Sequence, residues 1–484
     1  MPKDEFSFEN YSKLKEASIS LAELLKSKEN TLAIIPKSHS DNLSASGILV
    51  SCLQESGVGC HVITASNSLE IEERVKKTNY STYVFIGLSA QELPITILNS
   101  KDKERIIIGH DFSIDEEMEV QWESIRILSL SNFDLKTNLL SNSGIAYLVA
   151  SGFSDDHYQY SGLAVLGALS KRQINKEQKL IGINKLIFEE GKEHKILKEI
   201  EKGIKIPGRE SQPIHQALQY SINPFFPGLT GNKDACTSFV ADLGISMKDN
   251  EGNFRTISSL TGDESKNLSE ALIILFKGDT SKIIGPMYIL NTETKKDQTR
   301  NIEEFLWLLE GAIGMQKYGL ALAIVLGDRS NLFDKLMREL GNYHGKATTI
   351  IEEIIKNQEV IEERQYYRLI RHQDFFEFES APLVIRALVE SSTIPIDKPL
   401  ILHIRNNKQD YLFVHDSPSN IEKGYVSFQI FQNLIEKTIK DSSIKGDIGF
   451  FQLNVKAEEL ELVFKELDVA LSYHHEGKDT EKKQ

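Results

Sequence analysis

Along residues 1–180, short and continuously apolar runs alternate with segments of helical spacing. Residues 9–28, ENYSKLKEASISLAELLKSK, repeat apolar positions at the helical period and predict an amphipathic helix. TLAII, GCHVITAS, YVFIGLS, RIIIGH and SIRILSLS each predict a buried strand. SASGILVSCLQESG, SLEIEERVKKT, NSGIAYLVASGF and GLAVLGALSKRQ predict helices between or after them. Strands without polar alternation are apolar on both faces, which predicts a mostly parallel sheet covered by helices, hence an α/β fold. In such a sheet the functional site lies beyond the carboxyl ends of the strands. The polar residues that follow TLAII, YVFI and RIII all fall on that edge.

The pattern changes after residue 180. The middle region is largely helical and rich in Lys and Glu. It holds the turn-laden piece SINPFFPGLTGNKDAC, in which Phe225 and Phe226 read as apolar anchors between prolines, with base stacking as the alternative. ALAIVLG reads as a strand ending in the turn LGDRSN. ATTIIEEIIKNQEVIEERQYYRLIRHQ reads as a long connecting helix. PLVIRALVES, KPLILHIRNN, DYLFVHDS and GDIGFFQLNV predict strands with intervening helices in a small carboxyl-terminal α/β lobe. The expected division is 1–180 for the first α/β domain, 181–365 for the helical middle, 366–474 for the last lobe and 475–484 for a disordered tail.

Composition narrows the function classes. The chain has 484 residues, 40% hydrophobic and 26% charged, as a multidomain globular protein does. No run approaches the ~20 apolar residues that span a bilayer, and the polar opening MPKDEFSFENYSKLKE has no signal-peptide core. The cysteines, Cys52, Cys60 and Cys236, lack zinc-ligand spacing and cannot form a disulfide framework, which fits a reducing, cytoplasmic compartment. A formal net charge of -14 argues against tight independent nucleic-acid binding. There is no phosphate loop and no GxGxxG.

Four stretches, SGIAYLVA (143–150), GLAVLGAL (162–169), GINKLIFEEG (182–191) and PGRESQPIHQALQYSINPFFPGLTG (207–231), carry a resemblance. In their order and wording the chain resembles the DHH phosphoesterase superfamily, and within it the archaeal RecJ-like proteins. That group includes nucleases associated with the GINS replication complex. It shares ancestry with the Cdc subunit of the CMG (Cdc–MCM–GINS) replicative helicase, an inactive relative. The resemblance implies a parallel-sheet DHH domain, a helical middle region and a small DHH-associated α/β domain.

Active members of that superfamily hold two divalent cations with several carboxylates and some imidazole. The family supplies them from four motifs, and this sequence departs from each. In SHSDNLSASG, His39 and Asp41 match the first ligands, but Leu43 stands where a second Asp belongs. Gly87 takes the Asp position after the YVFI strand. Gly109-His110-Asp111 replaces Asp-His-His, and Lys171 takes the last Asp position. The resemblance therefore implies a vestigial pocket with no catalytic residues, no cofactor and no metal. Any retained ion would use His39, Asp41 and His110. These residues are expected to hydrogen-bond one another in that pocket, and the sharper alternative sets the Lys171 ammonium near Asp41 in place of the metal charge. The last lobe also lacks the family's Arg-bearing strand and Gly-Gly-His turn, reading DYLFVHDS and KGDIGFFQ instead.

The expected role is that of an inactive, nucleoid-associated pseudo-enzyme in a helicase assembly. Its partners would be GINS and MCM, with weak single-stranded DNA contact and no membrane. The alternative is a single-strand-specific 5'-3' exonuclease with an altered manganese or magnesium site. Three other features read as structural: His344 as a surface-loop histidine, Asp155-Asp156-His157 as a solvated loop, and Phe375, Phe376 and Phe378 as packing between lobes.

Overall fold

In the computed structural model the described residues are 6–469, apart from 66–67, 116–117, 119, 277, 296, 372, 407–408, 417–428, 432–442 and 448. The tail expected to be disordered, 475–484, lies outside them. The chain divides into two compact units, each built from separated segments: 1–205 with 285–340, and 206–284 with 341–484.

The chain opens with α1 (Phe8–Lys26), β1 (Leu32–Pro36), α2 (Ser40–Glu55), β2 (Cys60–Val62), α3 (Ser68–Lys76) and β3 (Thr82–Ile86). It continues through α4 (Ile95–Leu98), β4 (Glu104–Gly109), β5 (Arg126–Ser129), α5 (Asn142–Ala150), α6 (Ser161–Ser170), α7 (Gly182–Glu193) and β6 (Leu197–Ile204). Next come α8 (Ile214–Gln219), α9 (Lys233–Asp242), α10 (Gly262–Leu275), β7 (Ile284–Leu290), α11 (Ile302–Gly314), α12 (Tyr318–Val325) and α13 (Asn331–Lys356). The last elements are β8 (Ile361–Glu363), β9 (Arg368–Ile370), α14 (Ala381–Glu390), β10 (Leu400–Asn406), β11 (Gln409–His415), β12 (Ser443–Asp447) and β13 (Phe450–Lys456).

The first unit is organised by a parallel sheet of order β2-β1-β3-β4-β5. The apolar runs are continuous because both faces are covered. Leu32, Ile34, Val84, Ile86, Ile106 and Ile108 point to one core with α1, α2 and α5. Ala33, Ile35, Tyr83, Phe85 and Ile107 alternate to the other, which holds Phe112 and Trp122. A third apolar cluster joins Leu43, Val165, Leu166 and Phe188 to Phe305, Leu309 and Ile324, so helices of the returning segment complete this unit. The order places β1 between β2 and β3, which makes the β1/β3 crevice the topological switch point of the sheet.

The second unit carries a six-stranded sheet, β12-β13-β11-β10-β9-β8, antiparallel except between β9 and β10. Three sequence expectations change here. The stretch 347–373, read as one long connecting helix, is α-helical only to Lys356, and Ile361–Glu363 and Arg368–Ile370 form β8 and β9. ALAIVLG forms α12, not a strand, and PLVIRALVES forms α14, which packs on β10 and β11. Apolar runs of that length satisfy either period. Among the described residues no helix is long and apolar enough to cross a membrane.

Candidate functional site at the carboxyl edge of the parallel sheet

The turn after β1 enters helix at Ser40, one residue past His39. His39 is the N-cap of α2, and its Nδ1 accepts the Asp41 backbone N–H at 3.2 Å. Asp41 and Leu43 therefore both sit inside the first turn. Two residues along a helix turn the direction by about 200°, so the two side chains diverge. Leu43 is fully buried in the apolar cluster with Leu166 and Ile324. Asp41 is fully buried on the side of α5.

The Asp41 carboxylate sits on the N-terminus of α5. Its Oδ2 accepts the Asn142 N–H at 2.9 Å and its Oδ1 accepts the Ser143 N–H at 2.8 Å. These are orphan donors of the first helical turn, where the helix dipole also favours negative charge. Ser141 caps the same helix through the Gly144 N–H at 3.0 Å. Gly167 of α6 closes the cradle: a side chain there would collide with Ser143 Oγ and Asp41 Oδ1.

Two asparagines fill the rest of the crevice. Asn42 Nδ2 donates to the Lys37 carbonyl at 3.2 Å, and its Oδ1 accepts from Asn142 Nδ2 at 2.7 Å. Asn142 Oδ1 accepts the His110 backbone N–H at 2.6 Å and lies 3.0 Å from His110 Nδ1. That backbone donor fixes both amide orientations and makes Nδ1 the protonated nitrogen of His110. Gly87 adopts φ of +68°, and a side chain on it would collide with the Asn42 carboxamide. Asn42 thus fills the space beside Gly87, the residue that follows β3. At Gly109 a side chain would crowd Phe112 Cβ at 2.8 Å. Asp111 turns outward, its side chain 63% exposed, with Oδ1 3.7 Å from His110 Nδ1.

This donor set does not fit the two-cation centre of a DHH phosphoesterase. Asp41 is the pocket's buried carboxylate and both its oxygens are engaged by backbone N–H groups. Among the described residues no group of three or more His, Cys, Asp or Glu side chains is placed to hold a metal ion. The structure brings His39, Asp41, Gly87 and His110 to one crevice and sends Leu43 and Asp111 away from it. The alternative Lys171–Asp41 pairing is not formed. Lys171 is the C-cap of α6, one turn beyond Gly167, which is the α6 residue against Asp41. Asn42, Ser141, Asn142 and Ser143 were not read as site residues. The available signal was SNSG (141–144), a capping sequence that runs into the SGIAYLVA stretch.

The remaining candidates are structural. His157 lies in a short 3-10 turn, its Nε2 3.4 Å from Glu190 Oε1, while the Tyr147 hydroxyl donates to Glu190 Oε2 at 2.6 Å. The His157 bond chiefly holds the Glu190 carboxyl down at about 2. His344, expected in a surface loop, is instead buried within α13, and burial pushes its imidazole down to about 3. Phe225 and Phe226 are buried anchors. Phe378, expected between lobes, packs within the second unit on Tyr411 and Phe413 of β11, with ring centroids 4.5 and 5.7 Å away. In the same sheet, Arg405 of β10 is committed to the buried Asp410 at 2.9 and 3.0 Å, and His403 reaches the same carboxylate at 2.7 Å.

Residues 206–280 match the family model described as the DHH-CID domain. No curated protein sequence matches the chain. Among solved structures, the chain is similar to CDC45 from Entamoeba histolytica, with a TM-score of 0.60 at 12% identity over 96% of this chain and 98% of that one. It is similar to RecJ of Thermus thermophilus in complex with Mn2+, with a TM-score of 0.54 at 12% identity, covering 98% of this chain but only 56% of that one. An exonuclease RecJ bound to manganese gives 0.52 at 12% identity over 95% of this chain and 94% of that one. Residues 206–280 carry the match to the DHH-CID domain, and the chain as a whole shares the fold of CDC45 and RecJ.

Proposed function

We propose that this protein is a catalytically inactive DHH protein that serves as a structural component of a replicative helicase assembly, binding GINS and the MCM motor. The observation that carries the inactive reading is the bonding of Asp41. A carboxylate whose two oxygens each accept a backbone N–H of α5 supports a helix–helix contact, and with no cluster of metal-ligating side chains around it among the described residues it is a poor bridge for two cations. The Asn42–Asn142–His110 chain occupies the same crevice. The overall likeness to CDC45 along nearly its whole length supports the assembly reading.

Two measurements test it. Incubation with manganese and labelled single-stranded DNA or RNA is expected to give no products. Cleavage that disappears in His39→Ala and Asp41→Ala would establish the exonuclease instead. Affinity purification of the tagged protein from its native cells at modest salt is expected to recover GINS, and MCM with it. Recovery of neither would remove the helicase role while leaving the inactive site untouched.

A further inference from the structure

The opposite, amino-terminal edge of the parallel sheet carries a second feature. Arg105, near the start of β4, is only 6% exposed. Its Nη1 donates to the Leu98 carbonyl, and its Nη2 to Ser124 Oγ at 2.9 Å and to the Ser124 carbonyl at 3.4 Å. Its Nε–H is buried with no acceptor among the described residues. Among the described residues no carboxylate pairs with it. A guanidinium cannot shed its charge, and a buried charge without a counter-ion is costly. A hydroxyl and two carbonyls satisfy part of its donor fork, and none of them is a counter-ion.

Arg105 lines a cavity of about 600 Å³ together with Lys101, Asn99, Gln121 and Ser124. That volume falls in the range of small-ligand sites. Lys101, Asn99 and Gln121 are exposed, so the cavity is reached from solvent, while Arg105 is buried in its wall. We propose that this cavity binds a small phosphate-bearing molecule, with the counter-charge of Arg105 supplied by the ligand. Two cations match a dianionic phosphate monoester. A monocarboxylate would leave one of them unpaired. Arg105 contributes a fixed charge, with those N–H donors that Leu98 and Ser124 leave over, and Lys101 a mobile point charge. Asn99, Gln121 and Ser124 offer donors and acceptors to whatever the phosphate is attached to. This site is separate from the emptied crevice at the other end of β4 and does not depend on the helicase reading.

Titration calorimetry of the full chain at fixed ionic strength decides it, with inorganic phosphate, adenosine 5'-monophosphate and acetate as probes. Saturable binding of one or both phosphate probes is expected. Tighter binding of the monophosphate would identify an ester and equal binding free phosphate. Acetate is expected to give no saturable heat. Arg105→Met should abolish binding. Because that change also removes the Leu98 and Ser124 contacts, Lys101→Ala at an exposed position provides the second variant. It should fold normally and weaken binding about tenfold, the loss of one charge-assisted contact. No saturable binding of either phosphate probe up to ~10 mM, acetate binding as tightly as phosphate, or Lys101→Ala binding like the parent protein would each overturn the proposal.

Discussion

Gly87 and Asn42 are two halves of one local solution. The left-handed backbone at Gly87 and the Asn42 carboxamide packed against it require each other. Gly87→Ala should force Asn42 off Asn142 and the Lys37 carbonyl while straining φ, costing ~2–4 kcal/mol. Asn42→Ala combined with it should cost less than the sum of the single changes, because the two touch. Urea midpoints of the four proteins measure this, and strict additivity would break the argument. Leu43→Asp tests the neighbouring position. It puts a carboxylate where the family places one, yet inside the Leu166–Ile324 cluster. The expected result is a loss of ~3–5 kcal/mol with no gain in manganese affinity. Leu43 and Gly87 were legible in the sequence because each breaks a motif at a fixed position. Asn42 and Asn142 were not. Nothing in an isolated asparagine shows which partner will orient its amide, be it a backbone N–H 32 residues away or a side chain 100 residues away.

At the scale of elements, α13 shows how a local signal is outvoted. GNYHGKA reads as a loop because Gly341 and Gly345 each cost about 1 kcal/mol in a helix. Yet Leu336, Leu340, Tyr343, Ala347, Ile350, Ile351 and Ile354 are all buried and recur at helical spacing, so packing wins. His344 is buried with this helix, and that placement has a pH consequence. Burial lowers its pKa from 6.5 to about 3 in the folded state. Between those values the unfolded chain binds a proton that the folded chain does not. Stability should therefore fall as pH drops through 6.5, by on the order of 1 kcal/mol per pH unit. His344→Leu should flatten this slope between about pH 6 and pH 4 in urea titrations. An unchanged slope would mean that the imidazole charges within the fold.

For the whole molecule, the parallel sheet was legible and the discontinuity was not. Continuous apolar strands announce a sheet covered on both faces, since nothing else hides both rows of side chains. The return of residues 285–340 to the first unit leaves no local mark, because its contacts span more than a hundred residues. Unit 1 nevertheless depends on it. Without the returning segment, Leu43, Val165, Leu166 and Phe188 lose Phe305, Leu309 and Ile324 as cover. Each large apolar side chain returned to water forfeits ~1.5–3 kcal/mol. A handful of them equals the ~5–15 kcal/mol that keeps a domain folded. A fragment ending at Lys205 should retain helical circular dichroism, bind ANS and melt without a cooperative transition. Co-expression with residues 285–340 should restore a single cooperative melt, since the missing part is a packing surface and not a chain connection. A cooperative, ANS-silent fragment 1–205 would show instead that the sheet and its two flanking cores suffice, and that the third cluster adds stability to a unit already complete.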